Sequence, residues 1–287
     1  MLPSGCGDEP HADSRFDGER AFRDLRDQVE IGARPSGSRA SAETVRLIAA
    51  RLRAAGAKDV RVQRPVRNVL ATIPGSGEGV VVVGAHHDTK DAIAKEFEGA
   101  NDGASGVAVV LELARVLAAD APLPGAEIRL ALFDGEEARG DRPFGVDGTR
   151  GSRQYVTYAE AGARQGSPEL ADIRAMVLFD LVGDCDLQIP REANSDASLY
   201  AEFVRAAEET SGSAAPFGGE AEGILDDHVP FIEAGIPAVN LIDFTYGPGP
   251  RPGAWWHTAE DTLDKVCAGS LDAVGEAAVR ALERIGG

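Results

Sequence analysis

Basic side chains are in short supply: 29 Lys and Arg stand against 47 Asp and Glu, giving a formal charge of −18 and a pI near 4.7. Such a surface repels phosphate, which argues against nucleic acid and anionic membrane as partners. Long apolar runs are missing too, and no stretch is long enough to span a bilayer. Cysteine is scarce. Cys6, Cys185 and Cys267 form neither a disulfide framework nor a CxxC metal site, and none belongs to a His-Asp arrangement that would make it a catalytic thiol. They are expected to be small buried or terminal residues. No internal repeat and no Pro/Ser-rich linker divides the 287 residues, a length that suits one large α/β domain or two small ones.

Residues 1–18 are polar, contain Pro, Gly and Asp, and read as a flexible lead before a domain over 19–287. The start, Met1-Leu-Pro-Ser-Gly-Cys6, is loosely similar to the end of a bacterial lipoprotein signal, with Cys6 as acylation site. On that reading the protein is exported or lipid-anchored. Pro3 fits the pattern poorly, and without the signal the expected location is the cytoplasm.

Hydrophobic periodicity predicts an amphipathic helix from Ser41 to Ala55, with Val45, Ile48, Ala49 and Leu52 on one face and Gly56 as its stop. Three β-rich runs follow: Asp59 to Val66, Asn68 to Ile73 and Val80 to Val83. The last is apolar throughout, as in a strand covered on both faces. Further helices are predicted over Gly103 to Ala119, Gly151 to Ala161, Ser198 to Thr210 and Leu271 to Ile285. Further strands are predicted over Ile128 to Phe133, Ala175 to Leu181 and Ile236 to Ile242. This alternation predicts one mixed sheet between helix layers. Ligands of such sheets collect at the carboxyl ends of the strands.

That is where the chemistry-bearing residues fall. Ala131-Leu-Phe-Asp-Gly-Glu136-Glu137 delivers adjacent glutamates from an apolar strand, a pairing that rarely serves packing. Val80 to His86-His87-Asp88, Asn101-Asp102-Gly103, Leu178-Phe-Asp180 and Trp255-Trp256-His257-Thr258 add three histidines and three more carboxylates. Zinc takes His nitrogen and carboxylate oxygen, and a catalytic site leaves one position open. His86, Asp102, Glu137, Asp180 and His257 therefore make a candidate set for two zinc ions bridged by one carboxylate, or for one zinc with spare groups beside it. Glu136, next to a ligand, is the candidate proton carrier, a role that contributes roughly 10²–10⁴-fold in rate. Singly, each has a plainer reading. Asp102 could cap the following helix, Asp226 or Asp227 could cap a helix at His228-Val-Pro-Phe, and adjacent tryptophans could form a packing corner.

In this order, the motifs resemble those of the M28 zinc aminopeptidases and of their relatives, the animal-type glutaminyl-peptide cyclotransferases. The resemblance runs from about Arg34 to Asp264. It implies a single-domain three-layer α/β/α sandwich with a mixed, mostly parallel central sheet. His86, Asp102, Glu137, Asp180 and His257 match the five metal positions of the dizinc peptidases, with Asp102 bridging and Glu136 as general base. Asp226-Asp-His-Val-Pro-Phe231, Trp256-His257-Thr258 and His86-His-Asp-Thr-Lys90 resemble the cyclase branch more closely. There only the positions of Asp102, Glu137 and His257 hold a single zinc, Trp256 lines the pocket, and Asp180 and Asp226 join Glu136 in an acidic network.

The chain also departs from the animal cyclases. The loop from Ala138 to Arg150 lacks their tryptophan, for which Phe144 is the candidate substitute. Asn240 stands where they have a histidine, and the cysteine pair that staples their zinc loop is absent. The implied substrate is a peptide with a free N-terminus. Conversion of N-terminal Gln to pyroglutamate is favoured over hydrolysis of the first peptide bond, and a protease-like domain that only binds is the remote alternative. Oligomeric state is not legible.

Overall fold

The computed structural model describes residues 14–93 and 97–287. Two helices come first, α1 (Gly18–Val29) and α2 (Arg39–Ala54). Asp17 caps α1 by accepting from the Arg20 N–H, and Ser38 caps α2 by accepting from the Ser41 N–H. A meander of β1 (Lys58–Val62) and β2 (Val69–Ile73) leads to β3 (Val80–His86), α3 (Ala104–Ala119) and β4 (Glu127–Phe133). After these come α4 (Phe144–Asp147), α5 (Arg150–Glu160), β5 (Ile173–Asp180) and β6 (Ile189–Glu192). The chain closes with α6 (Ala197–Ser211), β7 (Phe217–Ala221), α7 (Val229–Glu233), β8 (Ala238–Ile242) and α8 (Ala268–Ile285).

The main sheet has the order β1-β2-β4-β3-β5-β8. Strands β4, β3, β5 and β8 are parallel, while β1 and β2 are antiparallel additions at one edge. This is the mixed, mostly parallel sheet expected. Because side chains alternate along a strand, each strand feeds two cores. Val81, Val83 and Ala85 of β3 pack with Val107 and Leu111 of α3, in a core that also takes side chains from α1, α2, α6 and α8. Val80 and Val82 turn to the opposite face, where Tyr155 of α5 and Phe231 of α7 lie. Helix α3 approaches β5 so closely that a Cβ on Gly106 would sit 2.1 Å from the Phe179 carbonyl oxygen. Only glycine fits there.

Three expectations need correction. Residues 14–18, expected to belong to the flexible lead, are packed instead: Phe16 is buried and its N–H donates to Glu276 on α8 at 2.9 Å, as does that of Arg15. Cys6 lies outside the described residues. Cys185 and Cys267, read as independent, are joined in a disulfide. The fold aligns their segments: the Cys185 N–H donates to the Lys265 carbonyl at 3.2 Å and the Cys267 N–H to that of Gly183 at 3.0 Å. They are 82 positions apart, so no local spacing announces the pair. Finally, neither Asp226 nor Asp227 caps α7, whose N-cap is His228 without a side-chain bond. Among the described residues no helix is long and apolar enough to cross a membrane.

Candidate active site

Parallel neighbours β3, β4 and β5 release their chains at one edge of the sheet. His86 is the last residue of β3 and pairs in register with Phe133, the last of β4. Asp180 ends β5, and Glu136 and Glu137 stand just beyond β4. Asp102 comes from the loop between β3 and α3, immediately before Gly103, whose φ of +92° and contact with the Asp88 carbonyl exclude a side chain. His257 arrives on the loop after β8. Two non-glycine site positions adopt left-handed backbone, Leu181 directly after Asp180 (φ +49°) and His257 itself (φ +52°). Such conformations are costly and persist where the surroundings dictate them.

The five expected ligands form two triads that share Asp102: His86, Asp102 and Asp180, and Asp102, Glu137 and His257. His86 Nε2 lies 3.2 Å from Asp180 Oδ1 and 3.3 Å from Asp102 Oδ1. His257 Nε2 lies 2.9 Å from Glu137 Oε1 and 3.3 Å from Asp102 Oδ2. The two oxygens of Asp102 thus face different triads.

Electrostatics set these groups apart. Burial pushes the Glu136 carboxyl well above its ordinary range, and repulsion from Glu137 adds to the rise. Glu137 is pushed up to about 7, by burial and by the charge of Asp102, against the pull of His257. Burial works against ionisation of Asp102 as well, yet hydrogen bonds from His257 and His86 hold its carboxyl below the usual range. Burial disfavours the charged form of His257, but Asp102 and Glu137 raise it to about 10. Asp180 is raised mainly by burial, with His86 opposing. Buried carboxylates therefore outnumber cations here, and among the described residues Asp102 Oδ2 has only the 3.3 Å contact with His257 Nε2. A divalent cation held by nitrogen and oxygen fits that imbalance and that donor set.

Backbone clamps hold the acidic residues. Asp88, fully buried, accepts the Glu136 N–H on Oδ1 (3.1 Å) and the Glu137 N–H on Oδ2 (3.3 Å). Asp226 lies on the loop before α7, and its Oδ2 accepts from the Asn240 amide of β8 at 2.7 Å. Burial and the nearby charge of Asp180 raise the Asp226 carboxyl to about 7. Arg34 is fully buried behind the Asp102 loop and donates to the carbonyls of Glu98 (2.7 Å) and Gly99 (2.8 Å). Sequence reading assigned no role to Asp88 or Arg34. Their only signal was charge inside segments already picked out for other residues.

Trp256 stacks on the His257 imidazole, with ring centroids 3.8 Å apart and planes inclined by 15°. Its other ring neighbour is Phe244, edge-on at 5.2 Å. Trp255 instead packs against Tyr246 and is the corner residue of the two. Phe144 lies back over Gly148. The loop around it folds on itself because Arg139, Arg142 and Arg150 all converge on Asp147. The aromatic beside Trp256 is thus Phe244, which sequence reading passed over. A cavity of about 320 Å³ lined by Asp184, Asp186, Asp243 and Trp255 contains none of the expected site residues.

Against known proteins, the chain aligns along its whole length with the crystal structure of an Acidobacteriales bacterium glutaminyl cyclase. The TM-score is 0.84 and the identity 31%, covering 100% of this chain and 99% of the other. A glutaminyl-peptide cyclotransferase of Boiga irregularis is 27% identical over 241 residues, covering 74% of this chain and 64% of that protein. The chain therefore spans less than two thirds of the length of that curated relative. A Zn-dependent exopeptidase of Parabacteroides distasonis shares the fold, with a TM-score of 0.78 at 24% identity over 94% and 98% of the two chains. The profile of Peptidase family M28 matches residues 68–282, from the start of β2 into α8 and across every metal-site candidate. By that match the chain belongs to peptidase family M28.

Proposed function

We propose that this protein is a zinc-dependent glutaminyl-peptide cyclotransferase, with its catalytic domain over residues 19–287 extended back to Ser14. The observation that carries the reading is the full-length likeness to a glutaminyl cyclase at 31% identity. The acidic trio of Glu136, Asp180 and Asp226 supports it, since all three carboxyls are raised and stand ready to exchange protons.

Asp102, Glu137 and His257 are the ligands of a single zinc in this reading. Bound there, zinc supplies a Lewis acid that polarises the substrate's γ-carbonyl. The peptide's own α-amine attacks that carbonyl carbon, forming the ring amide as the bond to the side-chain nitrogen breaks. Glu136 takes a proton from the amine and passes it to that nitrogen, which leaves as ammonia. No water is consumed. Asp180 and Asp226 hold the amine and steady the proton traffic, and Asn240 keeps Asp226 in place. Trp256 walls the pocket and, by stacking, fixes the His257 ring.

A second reading rests on the symmetric sharing of Asp102 by two triads. With a second zinc on His86 and Asp180, the same residues suit an aminopeptidase in which Glu136 deprotonates an attacking water. Mass spectrometry of Gln-leading and Leu-leading peptides after incubation with the zinc-loaded protein separates the two. Loss of one ammonia from the Gln peptide with the chain intact is the expected result. Release of a free N-terminal amino acid would replace the cyclase by the aminopeptidase, and no change in either peptide would favour a binding domain. The disulfide accords with an oxidising compartment, so export is the location we infer.

A further inference from the structure

We propose that Asp261 is a positioning residue of the metal site, holding the backbone beneath Asp102 so that its two oxygens diverge towards His86 and His257. The inference rests on the reading of Asp102 as a metal ligand, and is independent of which N-terminal reaction the enzyme performs.

Asp261 is fully buried. Its Oδ1 accepts the Asn101 N–H at 2.8 Å and its Oδ2 accepts the Asp102 N–H at 3.1 Å. The Tyr246 hydroxyl, also buried, donates to Oδ1 at 2.8 Å. Both carboxylate oxygens are thus committed to consecutive N–H groups of the loop that presents Asp102. An anion placed this close to another buried anion is costly unless fixed donors compensate it. Here two of the three donors are N–H groups of the ligand loop, so most of the cost is offset only while that loop keeps this one course.

The rest of the loop is gripped as well. Arg34 holds the carbonyls of Glu98 and Gly99 on the upstream side. Asn101 receives the Gly183 N–H on Oδ1 at 2.8 Å, which ties it to the segment after Asp180. Among the described residues, Asp261 alone receives two successive N–H groups of this loop, those of Asn101 and Asp102, on one side chain. It follows His257 by four residues, so one short segment supplies a ligand directly and orients another through the backbone. Asp88 treats the Glu136–Glu137 pair in the same manner.

Substituting Asp261→Asn preserves size but leaves one acceptor oxygen for two N–H groups. The test is the zinc affinity of the full chain, measured by competition with a chromogenic chelator and read beside far-UV circular dichroism of the metal-free protein. The expected result is a folded variant whose zinc affinity falls about 10–100-fold, the usual consequence of losing a partner that orients a ligand. Tyr246→Phe keeps both N–H bonds and removes only the hydroxyl, with an expected loss of roughly two- to tenfold. Should Asp261→Asn fail to fold, an unchanged affinity in Tyr246→Phe overturns the proposal. If the wild-type protein binds zinc and folded Asp261→Asn binds it as tightly, the proposal is wrong while the metal site stands. If the wild-type protein takes up no zinc, the metal reading fails and the proposal fails with it.

Discussion

The two triads that share Asp102 are built differently. His86 and Asp180 are terminal residues of adjacent parallel strands and are almost sealed, at 1% and 8% exposure. His257 comes from a loop, in left-handed backbone, with 22% of its side chain exposed and an indole stacked on it. Glu137 also comes from a loop, but one clamped by Asp88. Strand ends give the sealed triad rigidity, which suits a hydrogen-bond network or a structural charge. Loops give the open triad access, which suits an ion that must meet substrate. The lesson is that equal ligand chemistry on both sides of one carboxylate does not make the two sides equivalent.

This comparison can be broken most forcefully at the histidines. His257→Ala is expected to abolish zinc retention and turnover, whereas His86→Asn retains zinc with an affinity lowered about 10–100-fold. Equal loss in both variants, seen by metal analysis after dialysis, would make the triads equivalent. Next in size is Glu136→Gln, expected to lower kcat about 10²–10⁴-fold with zinc binding intact. A kcat within twofold of wild type would remove Glu136 as proton carrier.

Smaller again is Asn240→Ala, which deprives Asp226 of a hydrogen bond worth roughly tenfold in rate. Its signature is a displaced acidic limb in the pH–rate profile, and an unmoved limb would reduce Asn240 to packing. The mildest expected effect concerns stability. In the metal-free protein Glu137 and Asp226 are both raised to about 7, from ordinary values of 4.5 and 3.8. A raised carboxyl binds its proton more tightly in the folded state, so its stabilisation is complete below the unfolded value and is lost as pH rises through the folded one. His257, raised to about 10, keeps its share across that window. The urea midpoint of metal-free protein should therefore fall between about pH 4 and about pH 7, and zinc should flatten the part due to Glu137. A midpoint that rises over that window would contradict the assigned directions.

Much of this was legible in the chain because the governing signals are local. The apolar run at Val80–Val83 and the periodicity of residues 103–119 announced β3 and α3, and Glu136-Glu137 after Phe133 marked the site. What escaped depends on contacts far apart in sequence. The bond between Cys185 and Cys267 joins the segment after β5 to the one after the His257 loop, 82 positions apart in the chain. The clamps of Asp88 and Asp261 act on backbone, which leaves no trace in side-chain spacing. Helix α1 was missed because its polar length buries few apolar residues, Ala21, Leu25 and Val29. Phe244 could be recognised only once the loop after β8 had been traced back to Trp256.

The most direct test is to titrate zinc into the metal-free protein while following ammonia release from a Gln-leading peptide. The open triad alone predicts turnover that saturates at one zinc per chain. Turnover that needs a second equivalent, or that yields a free amino acid in place of ammonia, would contradict it.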